Sequence, residues 1–365
     1  MKRRNWIQKS LISSSAVLFT PYIASKLNES KRANEYLRLH WNENPFGPSE
    51  KVIKAVQAAV PMANLYWDEK NDELREKLAS LHNLSSDQYL MTSGSTEILT
   101  LLGQHVGLQE GEIVMCDQSF PTIGIFGSRC GARIKKVPMN NYKLDLDQLL
   151  SAISSKTTLV FICNPNNPTS TEISKEKLES FCRAVPDNVL ICVDEAYIEF
   201  SKNGVGGSLV GLINELPNLI ITRTFSKVYG MAGFRLGYAI SQPHNIKALS
   251  LRYPALGMAP GLLPFVAGIS ALDDHRFVSH VVNEVNEGKR IMIEAFKQWN
   301  VIHAESSTNF LYVNKKKFVK DVKERLAVEK IWIAQWPSMK DHIRISIGKS
   351  DWMTTLVNKM EGLRV

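Results

Sequence analysis

The chain has 365 residues, 44% of them hydrophobic and 22% charged, enough for one large domain or two smaller ones around a shared cleft, and ordinary for a globular enzyme. Its formal charge is +8, but Lys and Arg are scattered, with tight runs only at Lys2-Arg3-Arg4 and Lys315-Lys316-Lys317, which argues against a nucleic-acid partner and for a solvated basic surface. No run of 18 or more apolar residues exists, so no permanent membrane span is expected, and Cys116, Cys130, Cys163, Cys182 and Cys192 show no Cys-x-x-Cys pair, so no disulfide framework or metal site is expected.

Residues 1–27 begin with a basic stretch, Met1 to Lys9, followed by a short, modestly apolar and serine-rich segment. Arg3-Arg4, then Asn5, Trp6, Ile7 and Lys9, resemble a twin-arginine export signal, which implies a periplasmic destination. Residues 28–50 read as an N-terminal arm. A large domain is expected over 51–250. Residues 51–60 place Val52, Ile53, Val56, Ala59 and Val60 at helical spacing, and 72–81 form a second helical stretch with Asp72 placed to cap it. Short β-rich runs recur at 113–116, 159–163, 189–193, 219–221 and 238–240, with helical segments such as 175–184 between them. That alternation predicts an α/β fold, a mainly parallel sheet covered on both faces, with its ligand at the carboxyl ends of the strands. Over 251–365 the texture changes. Helices at 260–272, 275–299 and about 316–326, with strands at 309–313, 331–334 and 343–347, predict a small α+β domain.

The residues that carry chemistry fall at strand ends. Thr92-Ser93-Gly94-Ser95-Thr96-Glu97 opens a helix, where free N–H groups make an anion site or, more simply, a capped start. Asn164-Pro165-Asn166-Asn167-Pro168-Thr169-Ser170 makes a rigid turn after a strand. Asp194, in Val193-Asp194-Glu195-Ala196-Tyr197, ends an apolar strand; a carboxylate there suits a protonated ring nitrogen, a Mg²⁺ ion or a helix cap. Lys227 closes Thr224-Phe225-Ser226-Lys227, again after a strand. Schiff-base chemistry needs an amine that can be neutral, favoured by burial and a nearby cation such as Arg235, whereas a snorkelling surface lysine needs neither.

In this order and spacing the motifs resemble the fold-type I aminotransferases of class I/II, in particular the histidinol-phosphate aminotransferase branch, over about residues 38–350. Trp41-Asn42-Glu43-Asn44-Pro45-Phe46-Gly47-Pro48, and Tyr66-Trp67-Asp68 before Glu73-Leu74-Arg75, are similar to two further elements of that branch. The resemblance implies a large domain with a mostly parallel seven-stranded sheet between helices plus a small α+β C-terminal domain. It also implies pyridoxal 5'-phosphate as cofactor, an amino donor and a 2-oxo acid as substrates, and a homodimer. Lys227 would be the Schiff-base lysine and proton shuttle, and Asp194 the partner of the pyridinium nitrogen. Asn167 and Tyr197 would donate to the cofactor's phenolic oxygen, and Phe120 would stack on its ring. Gly94, Ser95 and Thr96 would form the phosphate cup, with Thr224 and Arg235 as further contacts and Tyr66 reaching in from the other subunit. Arg344 would grip the substrate carboxylate, supported by Asn309, and Asn44 stands where a phosphate-binding tyrosine can occur. Lyases and decarboxylases share the scaffold, and a non-catalytic cofactor-binding protein is a further alternative. Two departures stand out. The turn ends in Ser170 instead of glycine, and Ala334 stands where the branch has an arginine for the substrate's phosphate, so a donor other than histidinol phosphate is expected.

Overall fold

The computed structural model describes residues 36–66, 68–252 and 260–365. The expected export signal lies outside the described residues. The chain enters as β1 (Leu37–Leu39), then α1 (Glu50–Ala59) and α2 (Asp68–His82). Ser49 caps α1, its Oγ accepting from Val52 N at 3.3 Å. Since α2 begins at Asp68, Asp72 is inside the helix and pairs with Arg75 at 3.3 Å; it is not the cap expected of it.

The large sheet is built from β2 (Tyr89–Thr92), β3 (Glu112–Cys116), β4 (Arg133–Val137), β5 (Thr157–Cys163), β6 (Leu190–Asp194), β7 (Leu219–Thr224) and β8 (Gly237–Ser241). Its order is β2-β8-β7-β6-β5-β3-β4, and only β8 runs antiparallel to its neighbours. The apolar strands β5, β6 and β7 are central because both their faces are covered by helices. One face packs with α1, α2, α5 (Leu146–Ser151), α6 (Lys175–Ala184) and α8 (Leu262–Leu272). The other packs with α3 (Ser95–Gly107), α4 (Thr122–Arg129) and α7 (Pro243–Ser250). Two strands of this sheet escaped the sequence reading. β2 is short and at one edge; β4, Arg-Ile-Lys-Lys-Val, is the other edge, where lysines blunt further pairing.

The second core follows α9 (His275–Gln298), which buries Val281, Val285, Met292 and Phe296 along one face. Each such burial contributes about 1.5–3 kcal/mol. β9 (Phe310–Asn314), β10 (Ile331–Ile333) and β11 (His342–Ser346), with α10 (Val322–Val328) and α11 (Ser350–Glu361), complete this layer. The helix expected near 316–326 is in fact a 3-10 turn at Lys315–Lys317 followed by α10, because Phe318 leaves the turn to enter the core and bridge to Arg364. β1 pairs in parallel with β10, so the N-terminal arm is stitched into the C-terminal layer. Tyr197, Phe200 and Val228, from loops at the carboxyl end of the large sheet, also enter this second core. The two cores therefore meet over those strand ends, and that is where the main cleft opens. Among the described residues no helix is long and apolar enough to cross a membrane.

Candidate active site

The cleft has a volume of about 640 Å³. Asp194 ends β6 on its floor, 3% exposed. Its Oδ1 accepts from Thr222 Oγ1 at 2.8 Å. Burial pushes its carboxyl up to about 6, against the opposing pull of Thr222 and Lys227. Lys227, three residues beyond β7, carries its ammonium 5.5 Å from the Tyr197 ring centre. Its polar partners are distant, the carbonyls of Trp41 at 3.5 Å and Asn42 at 3.4 Å. Burial, and then Arg344, push its pKa down to about 8. The Tyr197 hydroxyl accepts from Asn42 Nδ2 at 2.9 Å and is held above its usual range, chiefly by burial.

At one end of the cleft α3 begins. Gly94, at φ 84, is its N-cap, and Ser95 and Thr96 are its first residues. The Glu97 carboxylate accepts from Ser93 N at 2.7 Å, closing the turn behind them. Arg235, itself left-handed at φ 52, donates to Ala232 O at 3.1 Å and Ser93 O at 3.4 Å. A Cβ on Gly94 would run into that guanidinium. The Thr224 hydroxyl bonds Ser226 Oγ at 2.9 Å, and both line the same cleft. This is an anion cup made of a helix N-terminus, hydroxyls and a guanidinium.

Across the cleft Arg344 rises from β11, 3% exposed. Its Nη1 donates to Asn167 Oδ1 and its Nη2 to the His40 carbonyl, both at 2.6 Å. Its Nε is buried and has no partner among the described residues. Phe310 and Trp336 lie 5.2 and 4.6 Å from the guanidinium carbon, and burial lowers its pKa to about 10.

Ser95, Thr96, Phe120, Asn167, Asp194, Tyr197, Thr224, Lys227, Arg235 and Arg344 all line this one cleft, and Gly94 adjoins it. Three expected residues do not line it. Asn44 is a correction: its side chain closes its own loop, donating to Val228 O at 2.8 Å and accepting from Phe46 N at 2.9 Å. Asn309 lies behind the wall, donating to Asn42 O at 3.0 Å. Tyr66 is 88% exposed and is not part of the lining of its own chain's cleft. The residue missed is Asn42. Buried and left-handed at φ 55, it ties Tyr197, Asn309 and Ser346 together. Its only signal was its place two residues before Asn44 in the same motif.

A group carrying a phosphate, a flat ring with a basic nitrogen and a carbonyl matches this set of donors. The cup would take the phosphate, buried Asp194 would face the ring's cation, and the Lys227 amine would meet the carbonyl. Pyridoxal phosphate has those parts. Among the described residues no cluster of three or more His, Cys, Asp or Glu side chains is placed to hold a metal ion. Fold and cleft together define an enzyme of the fold-type I pyridoxal-phosphate class.

Comparison with known proteins carries this further. The model of the family "Aminotransferase class I and II" matches residues 34–360. Histidinol-phosphate aminotransferase of Symbiobacterium thermophilum is 32% identical over 336 residues, covering 90% of this chain and 91% of that one. The crystal structure of histidinol-phosphate aminotransferase from Sinorhizobium meliloti, in complex with pyridoxal-5'-phosphate, superposes with a TM-score of 0.82 at 28% identity, covering 90% of each chain. A putative histidinol-phosphate aminotransferase from Erwinia carotovora atroseptica gives 0.85 at 27% identity, covering 90% of this chain and 96% of that one. The chain belongs to the class I and II aminotransferase family, and it is a pyridoxal-phosphate-dependent aminotransferase.

Proposed function

We propose that Lys227 is the catalytic residue of an amino-group transfer from an amino acid, with Asp194, Tyr197, Asn167 and Arg344 in fixed supporting roles. Pyridoxal phosphate, when bound, supplies the carbonyl that takes the amine and the ring that takes up electrons. Lys227 holds the cofactor and then moves a proton at the donor's Cα; an amine lowered to about 8 exchanges protons near neutrality. Asp194, steadied by Thr222, would hold a negative charge for the ring nitrogen. Tyr197 and Asn167 would donate to the ring oxygen, and Phe120 would pack on the ring. Ser95, Thr96, the Gly94 backbone, Thr224 and Arg235 hold the phosphate. Arg344 has N–H groups to spare beyond Asn167 and His40, and its planar fork suits the donor's carboxylate.

The observation that carries this reading is the convergence of an amine, a buried carboxylate and a buried guanidinium from three different elements on one cleft. The test is absorbance of the purified enzyme, wild type against Lys227→Ala, followed by amino donors with 2-oxoglutarate. A cofactor band that survives unchanged in Lys227→Ala sinks the assignment.

Tyr66, exposed on its own subunit, suits a homodimer in which it reaches the neighbour's phosphate cup. Mixing inactive Tyr66→Ala and Lys227→Ala chains would rebuild one intact site per heterodimer; no recovery refutes it. Export through Arg3-Arg4 is part of the same proposal. Replacing the pair by Lys-Lys should abolish periplasmic yield.

A further inference from the structure

The cleft continues past Arg344 to a wall that the steps above do not use. Trp336, stacked against the guanidinium, stays 37% exposed, and Trp41 is 57% exposed. Tyr312 and Met339, both buried, back the lining there. Tyr312 is braced: its ring stacks on His342 at 4.6 Å and 6°, and Tyr142 hydrogen-bonds His342 Nε2 at 3.0 Å. Its hydroxyl donates to Gln118 Oε1 at 3.1 Å. Gln118 lines the cleft, and with that oxygen engaged its amide nitrogen, which has no protein partner among the described residues, is available to donate to a ligand.

The charges on this wall decide what it can hold. Among the described lining residues the cations are Lys227, Arg235, Arg344 and Lys136. The first three serve the amine, the phosphate cup and the carboxylate. Lys136 stands exposed on the edge strand β4. Ala334, bonded through its backbone to Arg344 at 3.0 and 2.8 Å, is buried behind the lining and brings no charge to it. Glu43, paired with Arg38 at 2.7 Å, and Asp117 line the same space, and the Asp117 carboxylate disfavours a second dianion there. Flat apolar walls with one neutral donor favour a ring over a charged group.

We propose that this wall selects amino donors with a flat, uncharged aromatic side chain, its polar tip accepting a hydrogen bond from Gln118, and that it rejects phosphorylated donors. This rests on the Lys227 and Arg344 assignments. The test is the half-reaction of the holoenzyme without acceptor, followed by loss of the lysine-bound cofactor absorbance. Tyrosine, phenylalanine, leucine, glutamate and histidinol phosphate are compared. Tyrosine and phenylalanine are expected to exceed the other three in kcat/KM by at least about tenfold. Preference for histidinol phosphate, glutamate or leucine overturns the subsite while leaving the Lys227 reading intact; no conversion with any donor overturns both. In Gln118→Leu the ratio of tyrosine to phenylalanine kcat/KM should fall about tenfold, the worth of one hydrogen bond. The cofactor absorbance of that variant reports its folding, and an unchanged ratio removes Gln118 from the proposal.

Discussion

Arg344→Lys keeps the positive charge and removes the planar fork. In the structure the fork is anchored at both ends, to Asn167 Oδ1 and the His40 carbonyl at 2.6 Å, and sandwiched by Phe310 and Trp336. An ammonium in the same place cannot keep both anchors and still present two parallel N–H groups to a carboxylate. One charge-assisted bond to the substrate is lost, about 1.5–3 kcal/mol. That corresponds to a fall of about 10- to 150-fold in kcat/KM. The discriminating assay compares an amino-acid donor with the amine that lacks its carboxylate, which never used the fork. The ratio of their kcat/KM values should fall by that factor, while absorbance shows the cofactor still bound. Equal losses for both donors would refute the carboxylate role and leave Arg344 as a brace between the two cores.

Other consequences follow from the same site. Asp194 is raised from 3.8 to about 6 in the folded state, so its burial costs nothing below pH 3.8 and a full penalty of about 3 kcal/mol above pH 6. Asp194→Asn should therefore melt higher than wild type as apoprotein at pH 7.5, with the gap closing towards pH 4, while losing activity; a gap independent of pH would refute the burial argument. The Lys227 pKa is depressed to about 8, so the rate of cofactor capture by apoenzyme should rise with pH and level off just above 8; a rise continuing to pH 10 would count against it. In Gly237→Ala a Cβ would lie 2.6 Å from the Gly94 carbonyl carbon and 2.9 Å from its Cα, forcing the start of α3 to move. Cofactor affinity by equilibrium dialysis should weaken by about tenfold or more, and an unchanged affinity would show that the cup tolerates the shift.

Much of this site could be read before the fold was known, because each part is a local pattern at a strand end. Asp194 and Lys227 stand at or just beyond the ends of buried apolar runs, and Ser95 and Thr96 follow a glycine at a helix start. Edge strands were harder. β4 alternates weakly and is mostly charged, so neither hydrophobic periodicity nor length distinguished it from a loop. Asn44 and Asn42 share one short motif, and composition cannot say which of two neighbouring asparagines turns inward; the left-handed backbone at Asn42 decided it.

The sequence by itself determined the alternation of strands and helices, the cofactor class and the residues around Lys227, since these depend on contacts near in the chain or on an ordered series of motifs. The tertiary structure alone decided that β1 would pair with β10, that Arg344 would meet Asn167 and His40, and that Asn309 would meet Asn42. It also decided that Tyr312, His342, Tyr142 and Gln118 would form one braced wall. These partners lie up to about 300 residues apart, and a pairing at that separation leaves no periodicity or spacing to read; only the packing of two cores against each other brings it about.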